Sequence, residues 1–519
     1  MNSNGSIQPK FNPWLIAMAV ILPTFIEMLD TTVVSVALEN IAGNLSATVS
    51  QATWIQTGYL ISNAVVLPAT AWCSALCGRK RFLMICIGIF MLASFACGEA
   101  PNLTFLIIAS IVQGAGGGAL QPISQAILME SFPPAKRGLA MAAYVVGVVL
   151  APVVGPVIGG WLTDNYSWRW IFYINIPCCL AALWMIQQFV FDPEYIRNAK
   201  RGRIDAFGFV ALAIWLGTMQ TVLNKGQDKD WFNSNFICWL SVISAVAFVA
   251  FVIREFWTRE PLADLRVFAD RNFLVSTILI SMVFLLLYGI MNLQPLMAGN
   301  LMGYTAYLSG VAQAPRGLGM MVLTPLVGIL TGKVDSRFLI GPGMILIAGA
   351  SLMMGDFNLG ICSHDFFWPN FIQGMGMALT TIPLMTVALA TIRNEQMGNA
   401  TGLFALARNL AGSIGIAVAI AMVSRGALRH QAYLVSHLTP YDLPYQSAVH
   451  MGQAALTPSM GAAQAGPGTL GVMYQSLLQH SNMFAFVDEF RWLALVCFLS
   501  VPLVLFLKKG DGKREVMMH

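Results

Sequence analysis

The chain has 519 residues, of which 57% are hydrophobic and only 10% charged. Soluble domains carry about a quarter charged residues, so this composition excludes an ordinary soluble protein and predicts one embedded largely in lipid. The formal net charge of +5 is spread in short basic clusters between apolar runs, which leaves no continuous basic surface for nucleic acid.

Apolar segments of about twenty residues, long enough to cross a bilayer as a helix, recur along the chain. Their cores lie at 14–37, 52–74, 82–98, 104–127, 139–162, 171–190, 206–224, 236–256, 273–296, 306–330, 338–355, 367–390, 400–424 and 486–507, here numbered spans 1 to 14. Span 1 follows a short polar stretch and continues without a small-residue cleavage site, so it is expected to be an uncleaved membrane helix. Basic residues test the count. With odd-numbered spans running outward, 21 of the 29 Lys and Arg residues fall on one side and 8 are left for the other side and the spans. The heavy side includes Arg79-Lys80-Arg81, the cluster Arg197 to Arg203 and the tail from Lys508 to Arg514. The positive-inside rule makes it the cytoplasm, with both termini there.

Span 1 holds Glu27 and Asp30, three apart and so on one helix face. Charges inside a span are costly and mark working residues. Two acids in one desolvated site cannot both ionise cheaply. The pair either carries a proton or is a structural pair bonded to a neighbouring helix. Asp30, deeper in the span, is the expected proton carrier and Glu27 its modulator. In span 2, Trp54 and the adjoining Gln56 and Thr57 are candidates for lining a substrate cavity, as is Gln113 of span 4. Gly78-Arg79-Lys80, after span 2, is a candidate cytoplasmic gating loop.

The glycine run Gly114 to Gly118 in span 4 has no lysine after it and no strand before it, so it fails as a phosphate loop. Ser110, Gly114 and Gly118 instead form a small packing face. The stretch from Gly328 to Val334 fails too, because no Ser or Thr follows Lys333. With no ATP-hydrolysing module, uphill transport must draw on an ion gradient. In span 5, Gly147, Ala151, Gly155 and Gly159 recur every fourth residue, a face with almost no side chain. Pro152 and Pro156 are expected to kink it. Such a face either slides against its neighbour or simply packs.

Arg316 in span 10 and Arg408 in span 13 are further charges within spans. Either can face a cavity and neutralise the acids of span 1 or an anionic substrate. Arg408, near a span end, can also snorkel, so Arg316 is the expected counter-charge. The nine cysteines fall almost entirely within spans and are expected as free thiols, with no disulfide framework, metal site or cofactor. The outer segment 425–485 contains His430, His437, His450 and His480; their irregular spacing predicts a solvated, partly helical segment. No nucleophile–base constellation among the spans suggests an intramembrane enzyme.

The chain repeats itself. Pro68 is echoed by Pro325, Gln113-Gly114 by Gln373-Gly374, and the stretch around Gly155 by Gly412 to Gly415. We therefore expect an all-α integral membrane protein with two six-helix halves, 1–200 and 261–519, and a two-helix insert at 201–260.

Gly147, Gly155-Pro156 and Gly159-Gly160 in this order resemble the antiporter motif of drug exporters in the major facilitator superfamily. Leu29 to Val34, the stretch from Trp168 to Pro177, Asp264-Leu265 and Arg271 to Phe273 are similar to further segments of its fourteen-helix drug:proton antiporters, closest to permeases of the EmrB type. The resemblance covers nearly the whole chain. It implies the major facilitator fold with 14 transmembrane helices in the cell inner membrane, and proton-driven export of hydrophobic or amphipathic compounds. A periplasmic adaptor and an outer-membrane channel are the implied partners. The chain departs from the pattern at Ala75 and Leu76, where an acid and an arginine are usual, at Ser110, where an arginine is usual, and at Ser35 and Glu39. A dedicated exporter of one endogenous metabolite and a non-transporting receptor or scaffold are the alternatives.

Overall fold

The structure is a computed structural model that describes residues 12–507 apart from 134–135, 193–204, 259–262, 305, 332, 394–395 and 440. The basic residues Lys10, Arg197 to Arg203, Arg259 and Lys508 to Arg514 therefore lie outside the described residues, as do both ends of the 201–260 insert. Among the described residues all regular elements are helices. The first half comprises α1 (Pro13–Asn44), α2 (Val49–Cys77), α3 (Arg79–Gly98), α4 (Leu103–Gly117), α5 (Leu120–Ser131), α6 (Arg137–Asn165), α7 (Trp170–Tyr173) and α8 (Asn175–Phe189). Next come α9 (Ala206–Lys225) and α10 (Asn235–Trp257). They are followed by α11 (Arg271–Met302), α12 (Ala306–Leu330), α13 (Arg337–Met354), α14 (Phe367–Ala390), α15 (Met397–Ser436), α16 (Leu443–Met460) and α17 (Ala462–Ser500).

Among the described residues, 11 helical segments are long and apolar enough to cross a membrane. They coincide with all predicted spans except 2, 5 and 10, whose positions are occupied by α2, α6 and α12. Local chemistry explains the helix ends. Asn12 caps α1 by accepting from the Trp14 N–H at 3.1 Å, ahead of Pro13. Thr48 and Gln51 form a capping box on α2, satisfying two orphan donors reciprocally.

Two predicted spans are interrupted. Span 4 breaks between Gly117 and Leu120 into α4 and α5, because glycines hold a helix weakly and Pro122 cannot donate to the preceding turn. Span 6 breaks at Ile174, where Pro177 likewise removes a donor. The segment 425–485 is more helical than expected. The 40-residue α15 is about 60 Å long, twice the bilayer core of about 30 Å. From its far end, α16 returns against α17.

Small residues set the contacts between helices. A Cβ added at Gly155 would collide with Thr32 Oγ1, and one at Gly159 would lie 2.8 Å from Val33 Cγ1, so α6 packs its bare face on α1. Gly114 and Gly118 bring α4 onto α2, and Gly116 brings it onto α3. The same pairings recur later: Gly415 brings α15 onto the backbone of α11 at Leu285, and Gly374 brings α14 onto α12 at Arg316. Between these two groups α6 meets α12, where a Cβ at Gly138 would lie 2.8 Å from the Gly328 carbonyl. There α2 and α5 also meet α15. The pair α9 and α10 flanks α2, and Trp239 and Val246 of α10 are exposed as lipid-facing residues would be.

Candidate functional site: a buried carboxyl pair on α1

Glu27 and Asp30 are each 2% exposed. Asp30 Oδ1 accepts from Gln113 Nε2 of α4 at 3.0 Å and from Asn175 Nδ2 of α8 at 2.6 Å. Asn175 also reaches Ser94 Oγ of α3 at 3.0 Å, and Ser94 donates to the Phe172 carbonyl at 2.9 Å. Four helices are thus gathered around one carboxyl. Glu27 Oε1 accepts from Asn63 Nδ2 of α2 at 2.9 Å, and Oε2 from Gln121 Nε2 of α5 at 3.1 Å. Gly117 leaves room for this cluster: a Cβ there would stand 2.7 Å from Tyr59 Oη and 3.4 Å from Glu27 Cγ. The donors are neutral amides. Such a site stabilises an ionised carboxyl through hydrogen bonds from neutral donors, with no direct ion pair to it among the described residues.

The cation brought toward the acids is Arg408 of α15. It donates to Gln121 Oε1, and its guanidinium lies 5.1 Å from the Phe284 ring centroid. Arg316, the expected counter-charge across the cavity, makes its hydrogen bonds to later helices and not to the acids. It donates to Gln294 Oε1 of α11 at 2.6 Å, Asn370 Oδ1 of α14 at 2.7 Å and Gln313 Oε1 at 3.5 Å. The reason is rotational: its place on α12 turns it into the later helices, away from α1.

The other predicted residues divide. Gln113 belongs to the acid cluster. Trp54 lies apart, 5.6 Å from Lys225 Nζ of α9, and that ammonium also donates to Thr53 Oγ1 at 2.7 Å. Gln56 is half-buried, while Thr57 is buried and donates to the Thr53 carbonyl at 3.1 Å. Gly147 presses on Ile21 of α1. Gly160 lies in α6 next to Gly159, and Pro152 and Pro156 fall within α6 with side chains outside the described set. At the α2–α3 junction Gly78 has φ +84°, a left-handed conformation that favours glycine. Arg79 pairs with Glu130 at the end of α5. Lys80 donates through its backbone N–H to Asp192 Oδ1 at 2.9 Å and through Nζ to the Gln187 carbonyl at 2.6 Å. The junction is therefore tied to two other helices of its own half.

Asn63 and Gln121 escaped the sequence reading, and Asn175 entered it only within the segment from Trp168 to Pro177 with no site role, although buried amides inside apolar spans were a usable signal. Among the described residues no three His, Cys, Asp or Glu side chains gather as a metal would require. His430 instead meets Asp488 at 2.8 Å.

Comparison with known proteins now bears on this geometry. The sequence profile of the Major Facilitator Superfamily matches residues 20–416. The chain is 35% identical over 500 residues to the Multidrug export protein EmrB of Escherichia coli (strain K12), covering 96% of each chain. It is 33% identical over 494 residues to the Fatty acid resistance protein FarB of Neisseria gonorrhoeae, covering 95% of this chain and 96% of that one. In fold it is similar to a double-tryptophan XylE mutant, with a TM-score of 0.61, 14% identity and coverage of 96% and 97%.

Proposed function

The chain belongs to the major facilitator superfamily, and from that premise we propose that it exports hydrophobic or amphipathic compounds across the cell inner membrane in exchange for protons. The relatives' names, one for multidrug export and one for fatty acid resistance, support an amphipathic substrate class. The observation that carries proton coupling is the carboxyl pair on α1, buried and held by neutral amides. Asp30 is the proton carrier. When it is ionised, Gln113 and Asn175 converge on it and draw α4 and α8 to α1. When it is protonated that attraction weakens, and the helices are free to rearrange. Glu27 tunes the exchange.

The moving units in this reading are 1–200 and 261–519, with 201–260 inserted between them, and the seams are α6 against α12 and α2 with α5 against α15. Both termini face the cytoplasm, and the helical segment 425–485 stands outside, where a periplasmic adaptor and an outer-membrane channel would engage the protein. Labelling a cysteine placed at exposed Ser447 tests this orientation: reaction in intact cells supports it, and reaction only after permeabilisation overturns it.

The deciding experiment uses full-length protein in proteoliposomes under an imposed pH gradient. A fluorescent amphipathic substrate should accumulate uphill and stop doing so when an ionophore collapses the gradient. Accumulation that ignores the gradient would refute proton exchange.

A further inference from the structure

Among the described residues, Glu27 of α1 is hydrogen-bonded toward the later half of the chain through Gln121. Its Nε2 donates to Glu27 Oε2 at 3.1 Å, and its Oε1 accepts from Arg408 Nη2. The orientation of this amide is forced, because a guanidinium only donates and an ionised carboxyl only accepts. Gln121 is 3% exposed and Arg408 6%, so water offers neither end a ready substitute. The groups around Glu27 are Asp30 on α1, Tyr59 and Asn63 on α2, Gln121 on α5, Tyr144 on α6, Tyr288 on α11 and Arg408 on α15. Of these, Arg408 is the cation, and it belongs to the opposite half.

We propose that Gln121 is a positioning residue that reports the protonation of Glu27 to Arg408, and so to the seam between the halves, by reversing its amide. The inference rests on the proton-exchange reading above. A proton arriving at Glu27 Oε2 turns that atom from an acceptor into an O–H donor facing the Gln121 amino group. Rotating the amide by half a turn presents its carbonyl to the new O–H. The same rotation turns the amino group toward the guanidinium, donor against donor, and Arg408 loses its acceptor on α5. The released guanidinium stays over the Phe284 ring of its own half, where the cation–π attraction accommodates it. Loss of the proton reverses each step. Only the Glu27 O–H bond forms and breaks.

The test uses full-length protein in nanodiscs, with one spin label in each half and the inter-half distance measured at mildly acidic and mildly alkaline pH. The wild type should shift its distance distribution with pH. Gln121→Met keeps the length but removes donor and acceptor; its halves should sit in the released distribution at both pH values. Gln121→Glu offers Arg408 a permanent acceptor and should stay in the held distribution at both. Breaking a hydrogen bond to a charged group shifts such a population by about tenfold to a hundredfold. Arg408→Met supplies the same released outcome should Gln121→Met fold poorly. A purely structural glutamine would change melting temperature without abolishing the pH response. A pH-independent wild type, a Gln121→Met variant with the wild-type response, or Met and Glu variants that move alike would each overturn the relay. If gradient-driven flux fails while the wild-type distances follow pH and the variants lock as stated, the antiport reading falls and the relay stands. If flux follows the gradient but Gln121→Met responds normally, the reverse holds.

Discussion

Both halves hold buried charge that neutral amides stabilise, carboxyls on α1 and a guanidinium on α12. In the first, Glu27 and Asp30 each accept from two amides drawn from different helices. In the second, Arg316 donates to Gln294, Asn370 and Gln313. Oriented amide dipoles therefore stabilise either sign. The difference lies in what each charge can do next. A carboxyl can shed its charge by taking a proton, whereas a guanidinium in a protein does not deprotonate. The two sites also differ in reach: Glu27 is linked through Gln121 to Arg408 of the later half, while the hydrogen bonds of Arg316 stay within α11, α12 and α14. The echoed glutamines differ too, since Gln113 holds Asp30 while both polar ends of Gln373 are buried without a hydrogen-bond partner among the described residues. Of these amide-held charges, the carboxyls of α1 suit the switch proposed above, and the guanidinium of Arg316 suits a fixed charge.

The largest effect expected from breaking this contrast is at Asp30. Asp30→Asn keeps the size and removes titration, and gradient-driven export should fall about a hundredfold or more, as losing a proton-transfer group commonly does. Binding of a neutral substrate, measured by fluorescence quenching, should change less than about threefold on the same scale. Uphill transport with proton movement by this variant would dissolve the contrast and turn attention to Glu27.

Gly155→Leu comes next. The added side chain meets Thr32 on α1, and overpacking of this kind costs about 1–3 kcal/mol. Export at matched expression should drop by about tenfold to a hundredfold while the protein still inserts, scored by flux per inserted molecule. Normal flux would mean the bare face of α6 is not a working contact.

Glu27→Gln should be milder, with export reduced by about threefold to tenfold and its pH optimum moved. An unchanged pH profile would remove Glu27 from the switch. Arg316→Gln sharpens the comparison from the other side. It removes a buried donor set, which should lower stability by about 2 kcal/mol, read as a reduced melting temperature. The pH profile of export should stay where it was; a moved profile would give the second half a part in the switch.

Hydropathy, glycine spacing and the cost of charge in lipid are local properties. From them alone the sequence determined the apolar helices, the bare face of α6 at Gly155 and Gly159, and the two acids of α1. Even the breaks near Gly118 and Pro177 were written in residues that hold a helix poorly. Tertiary structure decided the partners. Asp30 meets Asn175 and Glu27 meets Gln121 across long stretches of chain, and sequence spacing carries no register between such helices. It likewise decided between the two arginines. One residue along a helix turns a side chain by about 100°, so depth in a span, which favoured Arg316, could not tell which of the two arginines turns toward α1. Only the packing of α15 against α2 and α5 turned Arg408 toward the acids, while α12 folded Arg316 into its own half.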